Sequence, residues 1–329
     1  KTLLNNASGA AGAFVSPIYN AKSPIGKMLQ TAFALASQFY ESFPDCVDRG
    51  IVHWDANEHP AYDTPFEKIS LYGKEGYLLQ KALVVNPVKL ATQLSKNAPL
   101  VLGIDVISLE FTSEGWCLNG EFLCDKVIVA SGYETALIEE EYIGIRGVSG
   151  VKIKIQSNNQ MLYNGQEDIF FSKSHQGKIT IGATHHQMAL NEQMIQEDTQ
   201  ALIKQWQQIT GASETTLIEQ KTGIRACSVD YFPIVGQIID AKKTLALHPS
   251  IYHGTKIPED KVIYKNDLYI CNGVGGKGYT LAPYLAHILV SNLFSHQKIP
   301  NALNLYSRFL RYYRKNKLDL VKGASSNSS

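Results

Sequence analysis

The sequence predicts an α/β fold, α+β overall, built from two interleaved domains. Three observations lead there. The apolar run Lys126-Val127-Ile128-Val129-Ala130 stops at Ser131-Gly132, as a buried strand does at the carboxyl edge of an open sheet. Asp267 to Cys271 reads as a short strand that feeds a glycine loop and then a helix. Val151 to Ile155 alternates apolar and polar, the period of a half-buried strand. Helices interleaved with buried strands, followed by hairpins, fit an α/β domain interrupted by an antiparallel sheet.

The 329 residues are 44% apolar and 19% charged, enough for a large core and about two domains. A formal net charge of +1 gives no overall field toward nucleic acid or membrane. No run of about 18 apolar residues is present. Lys1 to Ala13 is rich in Gly, Ala and Asn and has no signal-like apolar stretch. Cys46, Cys117, Cys124, Cys227 and Cys271 are scattered, odd in number and never spaced Cys-x-x-Cys. That argues against a disulfide framework or a thiolate metal site and for a reducing cytoplasm.

Taken in order, Leu3-Leu4 reads as the exit of a strand, followed by the small-residue loop Asn5 to Gly12. Ser23-Pro24 opens a helix, an N-cap with proline at the first helical position. Its stripe is Ile25, Met28, Leu29, Ala32, Phe33, Ala36, Phe39, Tyr40 and Phe43, and Pro44 ends it. Ile51 to Trp54 and Leu83 to Val85 are strand-like, and Asn86-Pro87 starts a short helix through Leu94. Val106 to Phe111 and Trp116 to Leu118 read as hairpin strands, Phe170-Phe171 and Ile179 to Ile181 as further strands. A helix spans Glu192 to Ile209 and stops at Gly211. The last helix is expected from Pro283 to Phe294, with Leu285, Ile288, Leu289 and Leu293 on one face.

Four constellations carry chemistry. In Asn272 to Pro283, glycines Gly273, Gly275, Gly276 and Gly278 lie between a strand and a helix, with Lys277, Tyr279 and Thr280. Such a turn lets backbone approach a ligand, and the helix start offers unpaired N–H donors to an electron-rich group. A tight turn with an exposed lysine is the plainer alternative. In Gly223 to Gly236, Arg225 sits in an apolar stretch, where a guanidinium needs a carboxylate, phosphate or carbonyl partner. A structural pair with Asp230 would also satisfy it. Ala7, Ser8, Gly9, Ala10 and Gly12 are small enough to pack closely around a flat ligand. Ala130, Ser131 and Gly132 place backbone at a sheet edge.

The order of these four resembles the D-amino-acid-oxidase-like FAD-dependent oxidoreductases, over nearly the whole chain from Leu3 to Phe294. The resemblance implies FAD, held by the Ala7 to Gly12 loop, by Ala130 to Gly132 and by Gly275, Gly276, Gly278, Tyr279 and Thr280. It implies that Arg225 clamps a substrate carboxylate and that Lys277 stabilises negative charge on reduced flavin or touches substrate. It further implies FAD-binding segments 1–45, 101–145 and 221–322, a substrate domain of 46–100 and 146–220, and a disordered tail, 323–329. Family members start with a strand, a Gly-x-Gly-x-x-Gly turn, a helix and an acid-tipped strand. Nothing of that kind precedes Asn5, so a fragment with its first β-α-β unit missing is expected, rather than a flavin-less, non-catalytic relative.

Gly223 to Gly236 and the glycine loop with Lys277 resemble in particular the oxidoreductase domain of bifunctional tRNA-modifying enzymes. These remove the carboxymethyl group from a modified wobble uridine. Their methyltransferase domain, expected upstream, has no counterpart in this sequence. Free glycine or sarcosine is the alternative substrate. A tRNA contact is expected at 308–322, where Arg308, Arg311, Arg314, Lys315, Lys317 and Lys322 interleave with Tyr306, Phe309, Tyr312 and Tyr313. An amphipathic helix packed by those aromatics is the ordinary alternative. His185 and His186 read as surface or interface histidines and, on opposite faces of a strand, as a poor metal pair.

Overall fold

The computed structural model describes residues 3, 4, 6–17, 22–54 and 65–314. Asn5, Lys315, Lys317, Lys322 and the 323–329 tail lie outside the described residues. The chain forms two compact units. One holds the residues up to Ile104, Gly147–Arg225 and Gly275–Tyr284; the other holds Asp105–Arg146, Ala226–Val274 and the residues from Leu285 on.

The first unit is built on a nine-stranded sheet. Its strands run in the order Phe14–Val15, Lys74–Val85, Val47–His53, Asn164–Gln166, Phe170–Phe171, Lys178–Gly182, Ile145–Ser157 and Thr215–Ser228, with Phe66–Leu71 also paired to Lys74–Val85. The early residues join this unit because Phe14–Val15 pair antiparallel with Leu83 and Val84. Helix Pro24–Glu41 covers that corner, burying Phe33, Ala36 and Tyr40 with Val15, Leu83 and Val85. Ser23 caps it by accepting from the Gly26 N–H at 3.0 Å, worth about 1 kcal/mol.

Strand alternation divides the sheet chemically. On one face Val151, Ile153, Ile155, Ile179 and Ile181 are buried against Leu202 and Trp206 of helix Glu192–Thr210. Each such aliphatic contributes about 1.5–3 kcal/mol. Asn191 and the left-handed Gly211 bound that helix, as its sequence foretells. The other face carries Lys152 and Lys154, opposite Gly182 and Thr180. Helix Pro87–Ser95 starts at Asn86, whose Oδ1 accepts from the Lys89 N–H at 3.1 Å.

In the second unit Tyr264–Asn272 lies between Ile234–Ile239, antiparallel, and Val127–Val129, parallel. Val127 and Val129 are buried while Ile128 is 48% exposed, so among the described residues this strand is covered on one face only. Leu109–Thr112, Gly115–Leu118 and Phe122–Cys124 form a separate three-stranded meander. Residues 305–314 are helical and bury Leu305, Phe309 and Leu310 in the core.

That helix corrects one expectation. Arg308 is 7% exposed and cannot meet RNA. Its Nη2 donates to Asp230 and to the Phe232 carbonyl at 3.1 Å, its Nη1 to the Ile143 carbonyl at 3.3 Å. Arg311 reaches the same carboxylate at 2.9 Å. Phe309, Tyr306, Tyr312 and Tyr313 pack on the unit's core and are not free to stack on bases. No described helix is long and apolar enough to cross a membrane.

Candidate active site

The last long helix begins at Gly278, ahead of Pro283, and runs to Ser295. Pro283 has no N–H for the carbonyl of Tyr279, one turn back, which would normally break the helix there. The buried Tyr40 hydroxyl donates to that carbonyl at 2.9 Å, so the turn survives. A 3-10 turn, Gly275–Lys277, leads into the helix.

Tyr279 also ties this helix start to the small-residue segment, its hydroxyl donating to the Ser8 carbonyl at 2.9 Å. That segment is one helical turn, Ala7–Ala10, where the sequence suggests a loop. Lys152 holds it from the sheet: Nζ donates to the carbonyls of Gly9 at 3.2 Å and Ala11 at 3.1 Å. Burial, with Lys221 adding repulsion, pushes the Lys152 ammonium down to about 8. Glycine is required where the turn meets the sheet. A Cβ on Gly223 would lie 2.9 Å from the Ala10 Cβ, one on Gly12 2.6 Å from the Phe170 ring, and one on Gly9 2.0 Å from the Leu4 carbonyl oxygen. The first unit thus brings Ala7, Ser8, Gly9, Ala10 and Gly12 together with Tyr279, at the head of the Gly275–Thr280 segment.

Arg225 lies on the same sheet strand as Gly223, two residues on, and so on the same face. Its Nη1 donates to the Thr184 carbonyl at 3.2 Å. The Thr184 hydroxyl accepts from the Val151 N–H at 2.9 Å and donates to Asp198, which also takes His186 Nε2 at 2.9 Å. Burial and the neighbouring Arg225 hold His185 below the usual histidine range, hence neutral at pH 7. Asp230 is engaged by Arg308 and Arg311. Lys152, Tyr40, Thr184 and Asp198 escaped the sequence reading; Lys152 alone carried a signal, a lysine in a strand whose alternate residues are all apolar.

Gly150 is the floor beneath Arg225. A Cβ there would lie 2.1 Å from the Thr184 oxygen and 2.8 Å from Arg225 Nη1. Gly150→Ala is therefore expected to displace the guanidinium and lower kcat/KM by about 10²-fold, the cost of misplacing a positioning group by an ångström. The clash with the Thr184 backbone is expected to lower the thermal melt as well, so steady-state kinetics are compared at a temperature where the variant is folded.

In the second unit, Asn272 Nδ2 donates to the Gly132 carbonyl at 2.6 Å and Asn272 Oδ1 accepts from Gly273 N–H at 2.8 Å. Ser131 spends its hydroxyl on the Glu134 carbonyl. Gly132 has φ +76°, a left-handed conformation that glycine adopts without strain. Ala130 and Ser131 are exposed.

The head of the last helix is rich in donors and poor in acceptors. Its first-turn N–H groups have no intrahelical acceptor. The half-buried Lys277 has no hydrogen bond or ion pair among the described residues, and burial lowers its pKa. Thr280 Oγ1 is buried without a partner there, and a Cβ on Gly276 would meet nothing within 4 Å. Such an end fits the carbonyl-bearing edge of a flavin. Among the described residues no group of three or more His, Cys, Asp or Glu side chains is placed to hold a metal.

A small-residue turn and a glycine-headed helix are thus tied together beside a sheet strand bearing an arginine. The chain belongs to the FAD dependent oxidoreductase family, whose model matches residues 3–292. It is 26% identical over 282 residues to the tRNA 5-methylaminomethyl-2-thiouridine biosynthesis bifunctional protein of Leptospira borgpetersenii, covering 78% of this chain and 42% of that protein. The Campylobacter fetus protein of the same name is 21% identical, over 97% of this chain and 55% of its own length. The chain thus spans about half the length of these curated relatives. Glycine oxidase from Bacillus cereus shares the fold at a TM-score of 0.69 and 16% identity, covering 91% of this chain and 87% of that one. L-proline dehydrogenase from P. horikoshii does so at 0.64 and 13%, covering 89% and 85%.

Proposed function

We propose that this flavoprotein oxidises the secondary amine of 5-carboxymethylaminomethyl-(2-thio)uridine at the tRNA wobble position, leaving the aminomethyl form. Two-electron oxidation of a C–H bond beside an amine is the chemistry that bound FAD supplies. Ser8 to Gly12, Lys277 and the N–H groups at Gly278 to Thr280 would hold it. Arg225 binds the carboxylate of the glycine-like arm and fixes which carbon is presented. Neutral His185 beside it adds no competing positive charge. Water then adds to the imine, and C–N cleavage releases the two-carbon arm as glyoxylate.

The observation that carries this reading is the placement of Arg225 on the sheet face that also seats the Ala7–Ala10 turn. The tRNA substrate is supported by the curated relatives, by name bifunctional proteins of tRNA 5-methylaminomethyl-2-thiouridine biosynthesis. Arg225 would equally hold free glycine or sarcosine, so the two substrates must be compared directly. Incubation with tRNA carrying the carboxymethylaminomethyl base is expected to yield the aminomethyl nucleoside and glyoxylate in equal amounts. Faster turnover of free glycine or sarcosine than of that tRNA would reverse the assignment.

A further inference from the structure

A second cationic site lies on the Arg225 face of the first unit. Strand residues 219, 221, 223 and 225 alternate onto one side, and the Ala7–Ala10 turn sits over Gly223. Arg225 is on one side of that turn. On the other is a cavity of about 300 Å³ lined by Lys152, Lys154, Lys221, Glu219, Thr180 and Asn86, among others. Three lysines line it with a single carboxylate, Glu219, which Lys221 reaches at 3.0 Å, while the Lys152 ammonium also holds the Gly9 and Ala11 carbonyls. Lys154 has no hydrogen bond or ion pair among the described residues. Asn86 is the N-cap of helix Pro87–Ser95, so the positive end of a nine-residue helix lies at the same cavity. Convergent lysines and a helix start make a site for a compact oxyanion, and a phosphate group matches it. The larger cavity of the second unit, about 430 Å³, is lined by Glu139, Glu140 and Glu141 and repels such a group.

We infer that the Lys152–Lys154–Lys221 cavity binds an RNA phosphodiester, so that the substrate nucleotide is gripped at two anionic ends. The inference rests on the tRNA reading above and deepens it. Lys221 stands four residues from Arg225, about 13 Å at ~3.3 Å per strand residue. A modified uridine in RNA offers two anions, the carboxylate of its arm and the phosphodiester of its backbone. A free amino acid offers one. Lys152 joins the two ends, since it lines the cavity while holding the turn at Gly9 and Ala11.

The test uses the FAD-loaded protein and a Lys154→Ala/Lys221→Ala variant, leaving Lys152 in place. Fluorescence anisotropy with carboxymethylaminomethyl-bearing tRNA is expected to show affinity falling at least tenfold. The slope of log K against log salt should become shallower by about 0.7, the loss of one single-strand phosphate contact. Oxidation of the corresponding free nucleoside, which has no phosphate, should be unchanged. The flavin spectrum and thermal melt monitor folding, and Lys154→Arg/Lys221→Arg should retain affinity. Unaltered tRNA affinity and salt slope in the alanine variant, while the wild type oxidises tRNA, would overturn the phosphate site and leave the functional reading standing. Wild-type protein that neither binds nor oxidises tRNA would overturn both. Inorganic phosphate competing as strongly as tRNA would assign the cavity to a small anion and overturn the RNA commitment.

Discussion

Arg225→Ala is expected to lower kcat/KM toward the carboxymethylaminomethyl base by about 10²–10³-fold. Losing one member of a desolvated charge pair costs roughly 2–5 kcal/mol, and each 1.36 kcal/mol is tenfold in rate. Arg225 lies on a strand and its guanidinium donates to the Thr184 carbonyl, just past strand Lys178–Gly182, which orients the fork before substrate arrives. Arg225→Lys should recover only part of the loss, because a point charge does not reproduce bidentate contact with a carboxylate. A substrate analogue with a methylamino arm, lacking the carboxylate, should be nearly indifferent to either change. That comparison separates substrate binding from damage to the sheet. Equal losses on both substrates would remove Arg225 from the site.

Arg308→Ala is expected to cost about 3–5 kcal/mol of stability, the cost of breaking a buried ion pair by removing one partner. Arg308 is 7% exposed, and its removal leaves Asp230 with the Phe232 N–H at 3.2 Å and, as its remaining charged partner among the described residues, Arg311, whose side chain is 57% exposed. It also strips donors from the Phe232 and Ile143 carbonyls. The urea midpoint should fall markedly, and the Arg308→Ala/Asp230→Asn pair should lose less than the two single changes summed. An Arg308→Ala protein with wild-type stability but weakened tRNA binding would restore the expectation that this arginine meets RNA.

Local chemistry made much of the fold legible. Ser23, Asn86 and Asn191 cap the helices they precede, and Gly211 ends one in the left-handed conformation. The period-2 run at Val151 to Ile155 gives the sheet, and its polar positions are the lysine face. What stayed hidden depends on partners far along the chain. The start of the last helix is set by Tyr40, distant in sequence, which supplies the donor that Pro283 lacks. Lys152 reads as a solvent-facing strand residue until its contact with Gly9 and Ala11 is seen. At Arg308 the basic C-terminal cluster misled, because charge was counted along the sequence instead of around the helix; Arg311 and Arg314 of the same cluster are exposed. Arg308 shares the 3–4 spacing of Leu305, Phe309 and Tyr312, and that spacing marks the packed stripe. The Arg225 assignment came from motif order, and the structure adds the Thr184–Asp198–His186 network behind it.

The central claim is that this chain is a flavoprotein acting on the modified arm of tRNA. The most direct test is an anaerobic visible spectrum of the FAD-loaded protein, recorded while carboxymethylaminomethyl-bearing tRNA is added. The account predicts that the flavin absorbance bleaches stoichiometrically with tRNA, and far more slowly with free glycine or sarcosine. A flavin spectrum that survives the tRNA unchanged, yet bleaches promptly with a free amino acid, would contradict it.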